Sequence, residues 1–276
     1  KFMNLYHYTD QNGFIGIFNN KELWATKIQY LNDHNEYYLA IEIASKEIKA
    51  LMEKEQDLET KCVYQEFLSR IELISNINLC VCSLSENGDL LSQWRGYSNK
   101  MGGYSVGFKL NEIKLIAKRN KFDLLKCIYD EEEQKKKVVS VIKKAISFVD
   151  KDGGCKENKH CIDYFEEGII KLAPIIKDKN FSEESEWRLV KIVSTSDMKF
   201  RAGNSMLTPY VGFSLGDKRQ VKEVLDTVIV GHTPHVQLAI QATKTFLCNS
   251  LLEKSDYPIG LNPFNIVESK IPYRSW

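Results

Sequence analysis

A histidine near the start of the chain and a glutamate near residue 186 are the side chains whose types could carry out a reaction together. His7 lies in the run Leu-Tyr-His-Tyr-Thr at residues 5–9, and Glu186 lies in Ser-Glu-Trp-Arg at residues 185–188. An imidazole can donate a hydrogen bond from one ring nitrogen while its other nitrogen is held, which suits it to a ribose hydroxyl or a carboxamide. A carboxylate can stabilise the positive charge that develops on a sugar ring. The pair therefore predicts cleavage of an N-glycosidic bond in a dinucleotide.

Both residues also have a purely structural interpretation. His7 could be a half-buried histidine bonded to a backbone carbonyl. If residues 186–192 form a strand, Glu186 and Arg188 share one face while Trp187 and Leu189 share the core face. The carboxylate could then form a surface ion pair with Arg188, worth only ~0–1 kcal/mol. The chain has no Walker loop, GxGxxG, HExxH or paired CxxC motif that would name another reaction.

Aromatic and basic residues in the middle of the chain could line the same site. Trp94 is either a core residue or a platform on which a base stacks, and Arg95 could meet a phosphate. Tyr104 follows Gly102-Gly103 and could stack on a nicotinamide ring or pack within its strand. Arg201 and Tyr210 lie in adjacent predicted strands, where either could line the same cleft.

Two groups of residues could instead suggest a metal. Asp33 and Glu36 stand three apart where a helix begins, which indicates a helix cap but also allows a metal-dependent nuclease. Cys155, His160 and Cys161 supply three possible ligands, without the C-x2-C spacing typical of zinc sites. We therefore predict a loop with free thiols and no metal.

Composition bounds the class of protein. The chain has 276 residues, of which 43% are hydrophobic and 27% charged, and 38 basic against 37 acidic residues give a net charge of +1. This balance argues against a protein that mainly binds nucleic acid or membranes non-specifically. The first residues do not have the pattern of a secretory leader, and no run of ~18 apolar residues occurs, so neither secretion nor a membrane span is expected. With seven cysteines, the chain is expected to be cytoplasmic with reduced thiols.

The periodicity of apolar residues predicts elements that would position these side chains. Strands are expected at residues 2–9, 22–26, 79–85, 104–108, 124–129, 186–193, 198–201, 207–213, 224–231 and 266–271. Helices are expected from Asp10 to Asn20, as a pair within residues 36–75, and at residues 90–97, 111–119, 130–150, 158–178 and 233–249. The pattern predicts a single α+β domain over residues 1–276, with a mixed or antiparallel sheet and a helical insertion around 130–180.

The order of the short motifs resembles a bacterial family of proteins of unknown function, DUF2971, from Leu5 to about Arg274. The motifs are Leu-Tyr-His-Tyr-Thr at 5–9, Leu-Trp-Ala at 23–25, Leu-Asn-Asp-x-x-Glu at 31–36, the Cys and Ser run at 80–85, Gln-Trp-x-x-Tyr at 93–97, Gly-x-x-x-Gly-Phe at 103–108, Glu-x-Glu-Trp-Arg at 184–188 and the ending at 269–274. Each motif alone is weak, but the first seven in this order are fairly specific, and the ending fits as well.

Members of that family are similar at motif level to ADP-ribosyltransferases and to abortive-infection proteins of phage defence. The resemblance implies a split β-sheet of ADP-ribosyltransferase-like type that binds NAD. His7 matches the first-strand histidine, with Tyr8 and Thr9 after it, and Glu186 matches the late glutamate. Ser83 or Tyr104 would fill the middle-strand position. The run Glu184-Ser185-Glu186 departs from the arrangement of many protein-modifying transferases and fits it only if Glu184 helps to hold the acceptor; the helical insertion is a second departure.

These observations predict an ADP-ribosyltransferase or NAD glycohydrolase, in which Glu186 and His7 act on NAD. Tyr104 would stack on the leaving ring, and Arg188 or Arg95 would contact the pyrophosphate, with a nucleic acid, a protein or water as acceptor. The alternative is a non-catalytic binding or sensor module of a defence system, with a partner protein. Convergence of His7, Tyr104 and Glu186 in one pocket would distinguish the two, and a metal-dependent nuclease is the third possibility.

Overall fold

Strands and helices of an α+β protein follow one another along the chain. The structure, a computed structural model, describes residues 3–31, 36–74, 76–98, 102–150, 158–203, 205–253 and 263–272. The strands are β1 (Asn4–Asp10), β2 (Glu22–Lys27), β3 (Leu79–Ser85), β4 (Gly103–Lys109), β5 (Asp123–Lys126), β6 (Glu186–Ile192), β7 (Lys199–Ala202), β8 (Leu207–Ser214), β9 (Leu225–Val230) and β10 (Asn265–Glu268). The helices are α1 (Gln11–Asn20), α2 (Glu36–Lys54), α3 (Leu58–Ile74), α4 (Leu91–Tyr97), α5 (Leu110–Arg119), α6 (Glu131–Ile146), α7 (Lys159–Leu172), α8 (Lys218–Val224) and α9 (Val236–Leu251).

The strands form one mixed sheet with mostly antiparallel pairs, as the sequence predicted. The order is β10-β9-β4-β1-β3-β2-β8-β7, while β6 pairs with β3 and β5. Among the described strands, β9 and β10 form the parallel pair. None of the described helices combines the length and apolar character that a membrane crossing requires.

Alternation along the strands gives the sheet two different faces. One face, called the bundle face here, carries Val81 and Val190 and packs against α2, α3, α6 and α7. The other, called the α1/α9 face, carries Leu5, Cys82 and Leu189 and packs against α1, α5, α8 and α9. Because successive side chains in a strand point to opposite faces, these core residues assign the face of every neighbour in the same strand.

The predicted insertion around 130–180 is part of a larger helical layer. α6 and α7 pack with α2 and α3 around a core that includes Ala44, Phe67, Ile142 and Phe165. α7 ends at Leu172, earlier than the predicted residue 178, because Pro174 cannot continue the backbone hydrogen bonds of a helix. The chain then reaches a 3-10 turn at Lys179–Glu184 that leads directly into β6.

Candidate functional site

The sheet splits at the edge of β3 that faces β1 and β2. β6 pairs with β3 along its whole length, from Leu79 to Ser85. The opposite edge is shared, because β1 pairs with β3 at Ser85 whereas β2 pairs with it at Val81 and Cys80. In the described strands, residues 82–84 have no strand partner on that edge. This split is the opening around which the predicted site residues can be placed.

His7 reaches into the split and forms a hydrogen bond with the unpaired backbone edge of β3. Its Nδ1 lies 3.0 Å from the carbonyl oxygen of Ser83. Since a carbonyl oxygen can only accept, Nδ1 carries the proton and Nε2 is left as an acceptor in the neutral ring. Burial lowers the pKa of His7, the bond to Ser83 opposes this, and the charge of Arg201 lowers the pKa further. The imidazole is therefore neutral at pH 7.

Cys82 lies beside His7, but the two do not form a reactive pair. The Cys82 sulfur is 3.8 Å from His7 Nδ1. Burial raises the pKa of the Cys82 thiol to about 12, with smaller influences from the charges of Glu186 and Arg201. A thiol that remains protonated is a poor nucleophile. The site thus has no thiolate at neutral pH.

The neutral His7 gives the fold a specific dependence on pH. Its pKa in the folded chain lies below the ordinary value of 6.5, so the unfolded chain takes up the proton first as the pH falls. The contribution of His7 to the free energy of unfolding should be fully present above pH 6.5. Below pH 6.5 it should decrease, by at most about 1.4 kcal/mol per pH unit. Urea unfolding at pH 8.0 and 5.5 should show a smaller decrease in His7→Gln than in the wild type. Parallel pH dependences in the two proteins would contradict a buried neutral imidazole.

Arg201, Trp24 and Tyr210 lie on the bundle face beside the split. The guanidinium carbon of Arg201 is 5.0 Å from the centroid of the Trp24 ring, and the Tyr210 ring is 5.0 Å from the same ring at an angle of 43°. β2 pairs with β8, and β8 pairs with β7, which brings the three residues together. The expectation that Arg201 and Tyr210 lie in adjacent strands is confirmed. The sequence motif around Trp24 gave no sign that its ring would meet Arg201.

Glu186 lies in a buried cluster of charges at the start of β6. Its carboxylate accepts from Lys177 Nζ at 2.6 Å and from Arg188 Nε at 2.8 Å. Lys177 also bonds Glu184, and Arg188 Nη1 donates to the carbonyl of Pro174 at 2.8 Å. The Glu186, Lys177 and Arg188 side chains are all almost fully buried. Among these four described side chains, two positive charges balance two negative charges.

The carboxylate of Glu186 stays ionised in this cluster. Burial alone would raise the pKa of Glu186, but the charges of Arg188 and Lys177, with their hydrogen bonds, lower it to about 2. The sequence correctly placed Glu186 and Arg188 on one face of a strand. The pair is buried, however, so the alternative of a surface ion pair is wrong. Lys177, which the sequence analysis missed, follows Pro174 in an irregular segment and carried no recognisable signal.

His7 and Glu186 do not lie on two sides of one cleft. His7 shares the α1/α9 face with Leu5, whereas Glu186 shares the bundle face with Val190. Two depressions, of about 460 Å³ between α2 and α3 and about 560 Å³ beside the start of α6, lie away from both residues. The expectation that an imidazole and a carboxylate grip one nucleotide from opposite sides is therefore corrected.

Two aromatic residues assigned to NAD are engaged in packing. Tyr104 stacks on Phe14 with ring centroids 4.0 Å apart on the α1/α9 face, away from Glu186. Trp94 is 2% exposed, and its indole N–H donates to Asp89 at 2.7 Å. A base cannot stack on the buried ring of Trp94, and one face of the Tyr104 ring is already occupied by Phe14.

The other predicted binding residues are separated from one another. Tyr8 is buried, donates to the carbonyl of Asn87 at 2.8 Å and accepts from the backbone N–H of Leu90, so it anchors the β3–α4 loop. Thr9 packs against the backbone of Gly13 in α1. Arg188 belongs to the Glu186 cluster and Arg95 is exposed on α4. Ser83 remains at the split, where its backbone carbonyl accepts from His7.

The residues of the metal hypotheses are only partly within the described chain. Asp33 and Cys155 lie outside the described residues, and the side chain of Glu36 does as well. Cys161 is buried, and burial raises the pKa of its thiol to about 11. His160 packs against Phe148. In the part of the chain that the structure covers, no group of three or more His, Cys, Asp or Glu side chains could hold a metal.

Comparison with protein-family models gave a match. A family model described as a protein of unknown function, DUF2971, matches residues 93–189, which run from α4 to β6. The searches of curated proteins and of solved structures found no match. The matched segment contains Trp94, Tyr104 and Glu186 but neither His7 nor Arg201. Over residues 93–189 the chain thus matches DUF2971, the family that its motifs predicted.

Proposed function

We propose that this chain is a nucleotide-binding protein, with NAD as its first candidate ligand, and that the ligand lies in the split, between Arg201 on the bundle face and His7, which reaches the split from the α1/α9 face. One observation carries the proposal: a cationic side chain and two aromatic rings stand beside an opening in the middle of the sheet. A guanidinium suits a phosphate, and aromatic rings suit a base. The neutral imidazole of His7 adds an acceptor for a ribose hydroxyl.

The family resemblance supports this ligand class and a biological setting. The similarity of the motifs to those of ADP-ribosyltransferases favours NAD among nucleotides. The similarity to abortive-infection proteins favours a sensor module in phage defence, with a partner protein as the receiver of the signal. We rank binding before catalysis because His7, Tyr104 and Glu186 do not converge in one pocket.

A second candidate is the transfer of ADP-ribose from NAD to a nucleic acid or protein, or to water. The observation that favours it is the ionised carboxylate of Glu186, which lies on the same face of the sheet as Arg201. Lys177 and Arg188 neutralise that carboxylate, so Glu186 must exchange these partners before it can stabilise a cationic ribose. Binding alone needs no such rearrangement.

Titration of the purified chain with NAD tests both candidates. We expect saturable binding, measured by calorimetry and by tryptophan fluorescence, without release of nicotinamide. His7→Phe keeps a ring of similar size but removes both ring nitrogens, and we expect it to weaken NAD binding about tenfold. The control is His235→Phe, because His235 is exposed at the start of α9.

The outcomes separate the two candidates. No saturable binding of NAD, ADP or ATP to the folded wild type would refute the binding function. Nicotinamide release by the wild type that disappears in a folded Glu186→Gln variant, while NAD binding persists, would establish the enzymatic candidate instead. Equal NAD affinity of the wild type and His7→Phe would show that the ligand does not bind at the split.

A further inference from the structure

Arg201 is a half-buried cation that is fixed in position on the bundle face. Its guanidinium lies over the Trp24 ring, and its Nη2 donates to the hydroxyl of Thr26 at 3.0 Å. Trp24 is itself held, because its indole N–H donates to Glu22 at 3.0 Å. A planar guanidinium that is already oriented loses little conformational freedom when it binds a ligand.

The charge of Arg201 has no counter-ion within the described chain. Arg70, Arg188 and Arg219 each contact a glutamate. By contrast, no carboxylate of the described residues forms an ion pair with Arg201, and its buried Nε has no hydrogen-bond partner there. Glu22 is near Trp24, but its carboxylate is bonded by Trp24 and by Lys199 at 3.4 Å.

Such an arrangement is costly unless a ligand completes it. Burial lowers the pKa of Arg201, which reports the penalty of removing a cation from water, yet the guanidinium remains protonated. A buried donor without a partner is uncommon in native proteins and calls for a specific explanation. The neighbouring Thr26 hydroxyl and Trp24 ring orient the guanidinium but do not neutralise it.

We propose that Arg201 is the anion-binding residue of the split, and that the group it binds is the phosphate or diphosphate of a small phosphorylated ligand. The planar fork of a guanidinium matches two oxygens of one phosphate. The identity of the ligand as a nucleotide rests on the proposed function. The inference that Arg201 binds the phosphate rests on the contacts of Arg201 and does not depend on the identity of the ligand as a nucleotide.

The charges around Arg201 favour a small ligand over a nucleic acid. Binding to a nucleic-acid backbone relies on several basic side chains that contact successive phosphates. Beside the split, Lys199 is engaged by Glu22 and His7 is neutral, which leaves Arg201 as the cation available to an anion among these residues. One cation fits one phosphate or diphosphate group, in agreement with a net charge of only +1 over the whole chain.

The test compares the wild type with Arg201→Gln and Arg201→Lys, using inorganic pyrophosphate, ADP and adenosine as probes in calorimetry. Arg201→Gln should weaken ADP binding by about ten- to hundredfold and abolish pyrophosphate binding, whereas adenosine binding should not change. Arg201→Lys keeps the positive charge but lacks the planar fork of donors, so its ADP affinity should lie between those of the wild type and Arg201→Gln. Arg219→Gln is the matched control, because Arg219 is exposed and pairs with Glu223 within one helix.

Stability without ligand distinguishes binding from a structural role. If Arg201 only supported the fold, Arg201→Gln would lower the urea midpoint; an unpaired cation that awaits an anion can be removed without such a loss. Equal ADP affinity of Arg201→Gln and wild type, or no pyrophosphate binding by the wild type, would overturn the assignment. If NAD binds independently of Arg201, the proposed function stands and this inference fails. If pyrophosphate binds through Arg201 but no nucleotide binds, this inference stands and the proposed function fails.

Discussion

Replacing Glu186 by glutamine should lower the free energy of unfolding by about 3–5 kcal/mol. Lys177 and Arg188 would keep their positive charges in the interior, and among the described side chains of the cluster Glu184 would be the carboxylate left to balance them. An uncompensated buried charge is among the largest destabilising effects that one substitution can produce. Urea unfolding at pH 7 measures the change, and a shifted midpoint with an unchanged slope would assign it to the folded state.

Glu183→Gln provides the matched control for this variant. Glu183 is exposed in the same 3-10 turn, and its backbone carbonyl, which accepts from Asn87, is not altered by the substitution. We expect its stability to stay within about 0.5 kcal/mol of the wild type. If Glu186→Gln were equally harmless, the cluster would not support the fold, and Glu186 would again be a strong candidate for ribose chemistry.

The pH dependence of stability in the wild type and in Glu186→Gln gives a second test of the charge cluster around Glu186. The pKa of Glu186 in the folded chain, about 2, lies below its ordinary value of 4.5. Its contribution to stability is therefore present above pH 4.5 and is lost as the pH falls from 4.5 towards 2. Glu186→Gln has no such group, so its stability should decline less steeply in that range.

The strands near the predicted site could be derived from the sequence because their side chains alternate. β1, β3 and β6 were expected at residues 2–9, 79–85 and 186–193, and the structure places them at Asn4–Asp10, Leu79–Ser85 and Glu186–Ile192. Alternation also placed Glu186 with Arg188 on one face and Trp187 with Leu189 on the other. Helix ends were less accurate: α9 was expected to begin at Thr233-Pro234, yet it begins at Val236.

The site itself depends on contacts between distant segments, which local patterns do not contain. Trp24 and Arg201 meet because β8 pairs with both β2 and β7, although they are 177 positions apart in the sequence. The sequence indicated that His7 could bond a backbone carbonyl. It did not indicate that this carbonyl would belong to Ser83, at a split in the sheet. Strand order, which the sequence did not predict, decides both contacts.

Replacing Trp94 by alanine should cost about 3–5 kcal/mol and release the segment near residue 270. The Trp94 ring contacts Tyr8 edge-on at 5.0 Å, and its indole N–H holds Asp89. Asp89 in turn accepts from the Ser269 hydroxyl at 2.6 Å and from the backbone N–H of Lys270 at 2.7 Å. Loss of the ring therefore removes core packing and the donor that positions Asp89 for the C-terminal segment.

Trp94→Phe separates these two contributions, because it keeps a ring but removes the donor to Asp89. We expect it to cost about 1–3 kcal/mol, less than alanine. In both variants, hydrogen exchange of the Lys270 amide should become faster than in the wild type, whereas Phe200→Ala, at a side chain that is 59% exposed, should alter neither stability nor exchange. Unchanged stability of Trp94→Phe together with weaker NAD binding would instead return Trp94 to the ligand site. The result thus decides whether Trp94, which lies in the segment that matches DUF2971, supports the fold or contacts the ligand.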